Sequence, residues 1–114
     1  MSKAIVLMCK RADISAEDFR RHLMETHVPL LAKLPGLQRV VNNYVLASVD
    51  GSPPPYDLIG EAWFPSAEAM QAAYVGPEGQ AVVADVPNFL DPAQIRILIV
   101  EEAEAGPSDS DEKG

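Results

Sequence analysis

Cysteine is all but absent from this chain of 114 residues: Cys9 stands alone, so no internal disulfide can form. A single thiol inside an apolar run, with no CxxC partner, is read as inert and buried, and the chain as a resident of a reducing cytoplasm. Long hydrophobic runs are missing as well. The N-terminal run over residues 4–9 follows one lysine and is too short for a signal peptide or a membrane span. Basic residues are few, and they form no stripe that would suit a phosphate backbone, so nucleic-acid binding is disfavoured. There is no Gly-rich phosphate loop, no nucleophile elbow and no usefully spaced cysteine–histidine pair.

What is present divides unevenly. The net charge of −8 is concentrated at the C-terminus, where residues 101–114 hold six acids against Lys113. Residues 1–100 carry eleven acids against eight bases, a net of only −3. The reading is one domain over 1–102, large enough for a modest core, followed by a disordered, solubilising acidic tail over 103–114.

Short β-branched apolar runs predict strands over 3–9, 37–48, 58–64 and 94–101. Ser15 is an N-cap with Glu17 and Asp18 in the first turn, and Phe19, Leu23, Thr26 and Leu30 recur at helical spacing up to the Pro35-Gly36 stop. Ser66 caps a second helix, interrupted at Gly76-Pro77 and resumed towards Val86. The order β-α-β-β-α-β suits an α+β, ferredoxin-like sandwich: a four-stranded antiparallel sheet with both helices on one face. Three of the strands are apolar on both alternating faces, and two helices cover only one. A second copy is the simplest cover for the other, which predicts a homodimer whose packed sheets form a dimeric α/β barrel.

The chain's two histidines both lie on the first helix. Five residues at about 100° each place His22 and His27 roughly 140° apart, so they should not share one metal, and no metal centre is expected. His22 follows Arg20-Arg21 and reads as a surface or rim histidine. His27 precedes Val28-Pro29; the proline leaves the Glu25 carbonyl without its usual donor and disfavours helical geometry at Val28. A kink there would open space between helix and sheet, where an imidazole could act as acid or base, or could remain a satisfied boundary residue. Asn42, Asn43, Tyr44, Glu61, Trp63 and Arg96 interrupt otherwise apolar strands. Glu61 either pairs with Arg96 or lines a pocket; Tyr56 and Asp57 end the proline loop; Asp85 and Phe89 follow the second helix.

Lys10-Arg11, S-x-E-D-F-R-R-H, H-V-P-L-L-A-K-L-P-G-L, Y-D-L-I-G-E-A-W-F with a following S-x-E-A-M, and D-V-P-N-F-L-D together resemble the EthD family over most of residues 3–101. The resemblance implies a dimeric α/β barrel. It also implies a choice of activities: support of alkyl-ether degradation, isomerisation of a methylmuconolactone type, or polyketide dehydration. The family's H-x-P-L histidine falls on His27, the catalytic candidate; Tyr44, Tyr56, Trp63 and Asp85 are the substrate-binding candidates. No nicotinamide or flavin pattern is recognisable, and no cofactor is expected. The leading expectation is a cofactor-independent enzyme that moves a proton on a small hydrophobic or lactone-like carbonyl compound. The alternative is a non-catalytic accessory or ligand-binding protein serving an oxygenase pathway. A haem-handling monooxygenase stands third, because neither histidine is near the second helix.

Overall fold

The computed structural model describes residues 2–106. Its strands are β1 (Ser2–Met8), β2 (Arg39–Tyr44), β3 (Leu58–Phe64) and β4 (Arg96–Val100), in the spatial order β2-β3-β1-β4 with every neighbouring pair antiparallel. This is the expected sandwich. β2 is shorter than expected, because residues 45–48 leave the ladder before the proline loop.

Between β1 and β2 the chain forms α1 (Ala16–His22), one π-helical turn (Leu23–His27) and α2 (Val28–Leu31). Between β3 and β4 it forms α3 (Ala67–Val75) and α4 (Pro77–Asp85), then two short 3₁₀ turns at Val86–Asn88 and Pro92–Gln94. Both expected caps are made. Ser15 Oγ accepts the Asp18 N–H at 3.0 Å, and Ser66 Oγ accepts the Ala69 N–H at 3.0 Å. The first helix stops before Pro35-Gly36, where Gly36 takes φ 83°, a left-handed conformation that glycine adopts without a steric penalty. At Gly79 a side chain would collide with the backbone of Tyr74, so α3 and α4 meet at a point that only glycine fits.

Strand alternation sends Ala4, Met8, Leu58, Ala62 and Phe64 towards the helices, where all five are buried. Two apolar clusters fill this layer. Phe64, Ala62 and Ala4 pack with Leu34, Met70, Ala73 and Val82; Met8 and Leu58 pack with Phe19, Leu23, Phe89 and Leu90. The second cluster borders the site described below.

The opposite face presents Lys3, Ile5 and Leu7 from β1, Ile59, Glu61 and Trp63 from β3, and Leu98 from β4. Glu61 does not pair with Arg96. Its carboxylate lies 2.8 Å from Lys3 Nζ, a diagonal cross-strand pair, while Arg96 bonds the Ile95 carbonyl. Trp63 sits between the Lys3 and Arg39 cations, with Nε1 donating to Glu102 at 3.2 Å. At the β4 edge, Ile97, Leu98 and Ile99 are each at least half exposed. Residues 103–106 continue exposed without helix or strand, and the remainder of the expected acidic tail, 107–114, lies outside the described residues.

Candidate active site

Pro29 decides the local geometry. It has no N–H, so the ordinary bond back to the Glu25 carbonyl cannot form. The ladder widens instead of breaking: the Val28 N–H bonds the Leu23 carbonyl five residues back, closing a π-turn. Val28 stays helical at φ −59° and ψ −44°, contrary to the expected bias, and the chain continues directly into α2. The helix absorbs the proline as one wide turn.

That turn changes which residues share a face. A turn closed over five residues advances less than 100° per residue, so the 140° separation expected of a regular helix does not apply. His22 and His27 converge on one carboxylate. His22 Nε2 lies 2.8 and 2.9 Å from the two oxygens of Asp85, and His27 Nδ1 lies 2.9 Å from Oδ2. Asn88 Nδ2 donates to Oδ1 at 3.0 Å, and the Phe89 ring packs against both imidazoles at 4.7 and 4.8 Å between centroids. His22, partly exposed, is therefore a member of the cluster at its rim.

Asp85 ends α4, where the helix dipole disfavours a carboxylate. Burial pushes its carboxyl up, but the hydrogen bonds from Asn88, His27 and His22 outweigh burial and hold it below the ordinary carboxylate range. An ionised Asp85 is an acceptor only, so the ring nitrogens that face it must carry hydrogen. For His27 this places the proton on Nδ1 and the lone pair on Nε2. Burial pushes His27 down; the Asp85 hydrogen bond and charge oppose that, and nearby His22 adds to it, leaving the imidazole harder to protonate than usual. His27 is only 6 % exposed, and among the described residues its Nε2 has no hydrogen-bond partner. The result is an imidazole oriented by Asp85 and biased towards its neutral form.

The other candidates lie elsewhere. Tyr44 is on the helix side of β2, where it packs against the second apolar cluster beneath the Arg20 guanidinium, 4.1 Å from the ring centroid. Tyr56 is half-buried at the end of the proline loop, next to Asp57, whose carboxylate accepts the Lys10 N–H at 2.8 Å. Trp63 is on the opposite face of the sheet. Of the four binding candidates the fold brings only Asp85 onto His27. Sequence reasoning missed His22, and the signal that could have found it was Pro29 seven residues later. A shallow depression of about 250 Å³, lined by Arg11, Asp13, Pro87, Leu90, Asp91 and Pro92, adjoins the 3₁₀ turn that follows Asp85.

The family model described as the EthD domain matches residues 11–93, a span that contains His22, His27, Asp85 and Phe89. The chain belongs to the EthD family. It is 35 % identical over 71 residues to an uncharacterized 11.0 kDa protein of the thcB-thcC intergenic region of Rhodococcus erythropolis, covering 62 % of this chain and 68 % of that protein. Among solved structures, an EthD family protein from Bacillus halodurans superposes with a TM-score of 0.77 at 28 % identity, over 90 % of this chain and 99 % of that one. A dimeric ferredoxin-like protein from Thermobifida fusca (TM-score 0.67, 18 % identity, 87 % and 88 % coverage) shares the fold. So does SnoaB, a cofactor-independent oxygenase from Streptomyces nogalater (TM-score 0.64, 12 % identity, 94 % and 97 % coverage). In this EthD chain no helix among the described residues is long and apolar enough to cross a membrane.

Proposed function

We propose that this EthD protein is a cofactor-independent enzyme whose His27 moves a proton on a small hydrophobic or lactone-like carbonyl compound. The observation that carries the reading is the Asp85–His27 contact at 2.9 Å, which favours hydrogen on Nδ1 and leaves the buried Nε2 without a partner among the described residues. Such a base can take a proton from a carbon next to a carbonyl. Asp85 then faces the imidazolium that forms. Returning the proton to another carbon of the enolate completes an isomerisation. Giving it to a β-hydroxyl, whose C–O bond breaks as water leaves, completes a dehydration. Giving it to the alkoxide formed when the enolate carbon closes on a second carbonyl completes a cyclisation. The Phe89 ring against His27, part of an apolar cluster with Leu23 and Leu90, is in keeping with a hydrophobic ligand. A shared fold with SnoaB, named as cofactor-independent, is in keeping with chemistry done by side chains alone.

The working unit in this reading is a homodimer. The sheet face away from the helices carries Ile5, Leu7, Ile59 and Leu98, and the Thermobifida neighbour of the same fold is described as dimeric. Pairing two such faces would bury the apolar residues that the helices cannot reach.

The test follows solvent deuterium into a panel of enolisable lactones and β-dicarbonyl compounds by NMR. Wild-type protein is expected to catalyse exchange, and His27→Ala to lose at least a hundredfold, in line with the usual worth of about 10²–10⁴ for a positioned base. Equal exchange by His27→Ala would overturn the role of His27. Tight retention of a compound with no exchange would instead favour the accessory, ligand-binding role.

A further inference from the structure

Asp85 serves two imidazoles at once, and they are not equivalent. The His22 side chain is 24 % exposed and the His27 side chain 8 %. An imidazolium is cheaper to hold on the ring that water reaches. We propose that His22 is a positioning residue that takes the site's first proton and neutralises Asp85, keeping His27 neutral with its hydrogen on Nδ1. This inference rests on the reading of His27 as the base.

The geometry supports each part. His22 Nε2 spans both carboxylate oxygens at 2.8 and 2.9 Å, so a protonated His22 forms a close ion pair with Asp85. His22 Nδ1 has no bond among the described residues and is available to pick up the proton. With that proton in place the cluster is neutral overall: one cation, one carboxylate and one neutral imidazole. A second proton on His27 would put an uncompensated charge beside Phe89 in the apolar layer. Two sites coupled this strongly titrate in separate steps.

Neighbouring charged groups have partners of their own: Lys10, paired with Leu90 by a β-bridge, donates through Nζ to the Arg11 and Ile14 carbonyls. Arg20 lies over Tyr44, and Arg21 pairs with Asp18 and Glu17 on the outer side of α1. Arg11 of the β1–α1 loop is held by Asp13 and the Pro87 carbonyl, and Glu25 of the π-turn is exposed. From the sheet, the cluster that borders the imidazoles contributes Met8 and Leu58, both apolar. Asp85 is the acid on which both rings meet, and its charge is divided between them. Burial is the first cause of the low proton affinity of His27, and His22 deepens it.

The consequence concerns the working pH. Without His22, the whole carboxylate would favour a protonated His27, and the base would be lost at a higher pH. His22 extends base chemistry towards the acid side.

The experiment is a site-resolved titration of both imidazoles in the ¹⁵N-labelled full-length protein, read from ring nitrogen shifts. In the wild type His22 should protonate at higher pH than His27, with His27 in the Nδ1–H tautomer throughout that step. His22→Phe keeps a ring to stack on Phe89 but removes the N–H. It should raise the His27 midpoint by about one pH unit, a tenfold gain in proton affinity. His27 protonating first, or a midpoint that does not rise in His22→Phe, would overturn the proposal. If that variant does not fold, the order of protonation in the wild type decides alone. No substrate is involved, so the outcome is independent of the exchange assay. His27 can prove to be the base while His22 fails as its positioning residue, and the reverse result is equally distinguishable.

Discussion

Replacing Asp85 by asparagine tests the centre of the cluster. The carboxylate accepts from His22, His27 and Asn88. An amide in its place has one acceptor oxygen and a donor group that must face an N–H. Two charge-assisted hydrogen bonds are lost, at about 1.5–3 kcal/mol each. Relief of a buried charge seated at a helix C-terminus offsets part of this, and we expect a net loss of about 2 kcal/mol. For a domain of this size that lowers Tm by about 8–16 °C.

The pH dependence sharpens the test. His27 has a lowered folded pKa, so its contribution to stability is in place above its ordinary 6.5 and fades as pH falls below it. Asp85 opposes that lowering; in Asp85→Asn the opposition disappears, and the variant loses more stability over the same interval. The gap between the two proteins should therefore widen as pH falls from 6.5. Asp85 is itself depressed, so its contribution is present above the ordinary 3.8 and is lost as pH falls through its folded value. Only there should the gap close. Urea unfolding at about pH 7.5 and about pH 5.5 measures both differences. A variant as stable as wild type, or a gap that shrinks between those two points, would refute the reasoning.

Two further predictions address the frame around the site. Gly79→Ala places a methyl group against the Tyr74 backbone, where α4 meets α3, and should destabilise by about 1–3 kcal/mol in urea unfolding; unchanged unfolding would remove the claim of close approach. Leu98→Lys puts a charge at the half-exposed apolar position of β4 on the open sheet face. In the proposed homodimer it should halve the mass measured by light scattering while leaving circular dichroism unchanged, and a dimer that survives would exclude that face as the interface.

Local chemistry was legible in the sequence. Ser15 and Ser66 each cap with a residue three positions away, an interaction the order of residues alone predicts. The β-α-β-β-α-β order and the resemblance carried by the H-V-P-L and D-V-P-N-F segments were readable for the same reason. The partner of Glu61 was not, because strands apolar on both faces leave the register undetermined, and Lys3 reaches Glu61 only diagonally. His22 was misplaced because one angle per residue was applied through the whole helix, and the missing N–H of Pro29 changes that angle. Asp85 was a candidate without a partner until packing of α4 against the first helix set it between the histidines.

If His27 is the base proposed above, its burial also bears on substrate affinity. In the proposed reaction, a base with 6 % exposure would be reached only from conformations in which the surrounding side chains have parted. If such conformations form about one-hundredth of the population, the apparent affinity for substrate is a hundredfold weaker than the intrinsic one. Any ligand, partner or substitution that loosens the packing over Nε2 would then tighten apparent binding without touching the substrate. The cover over the base is a dial on affinity as much as a shield against water.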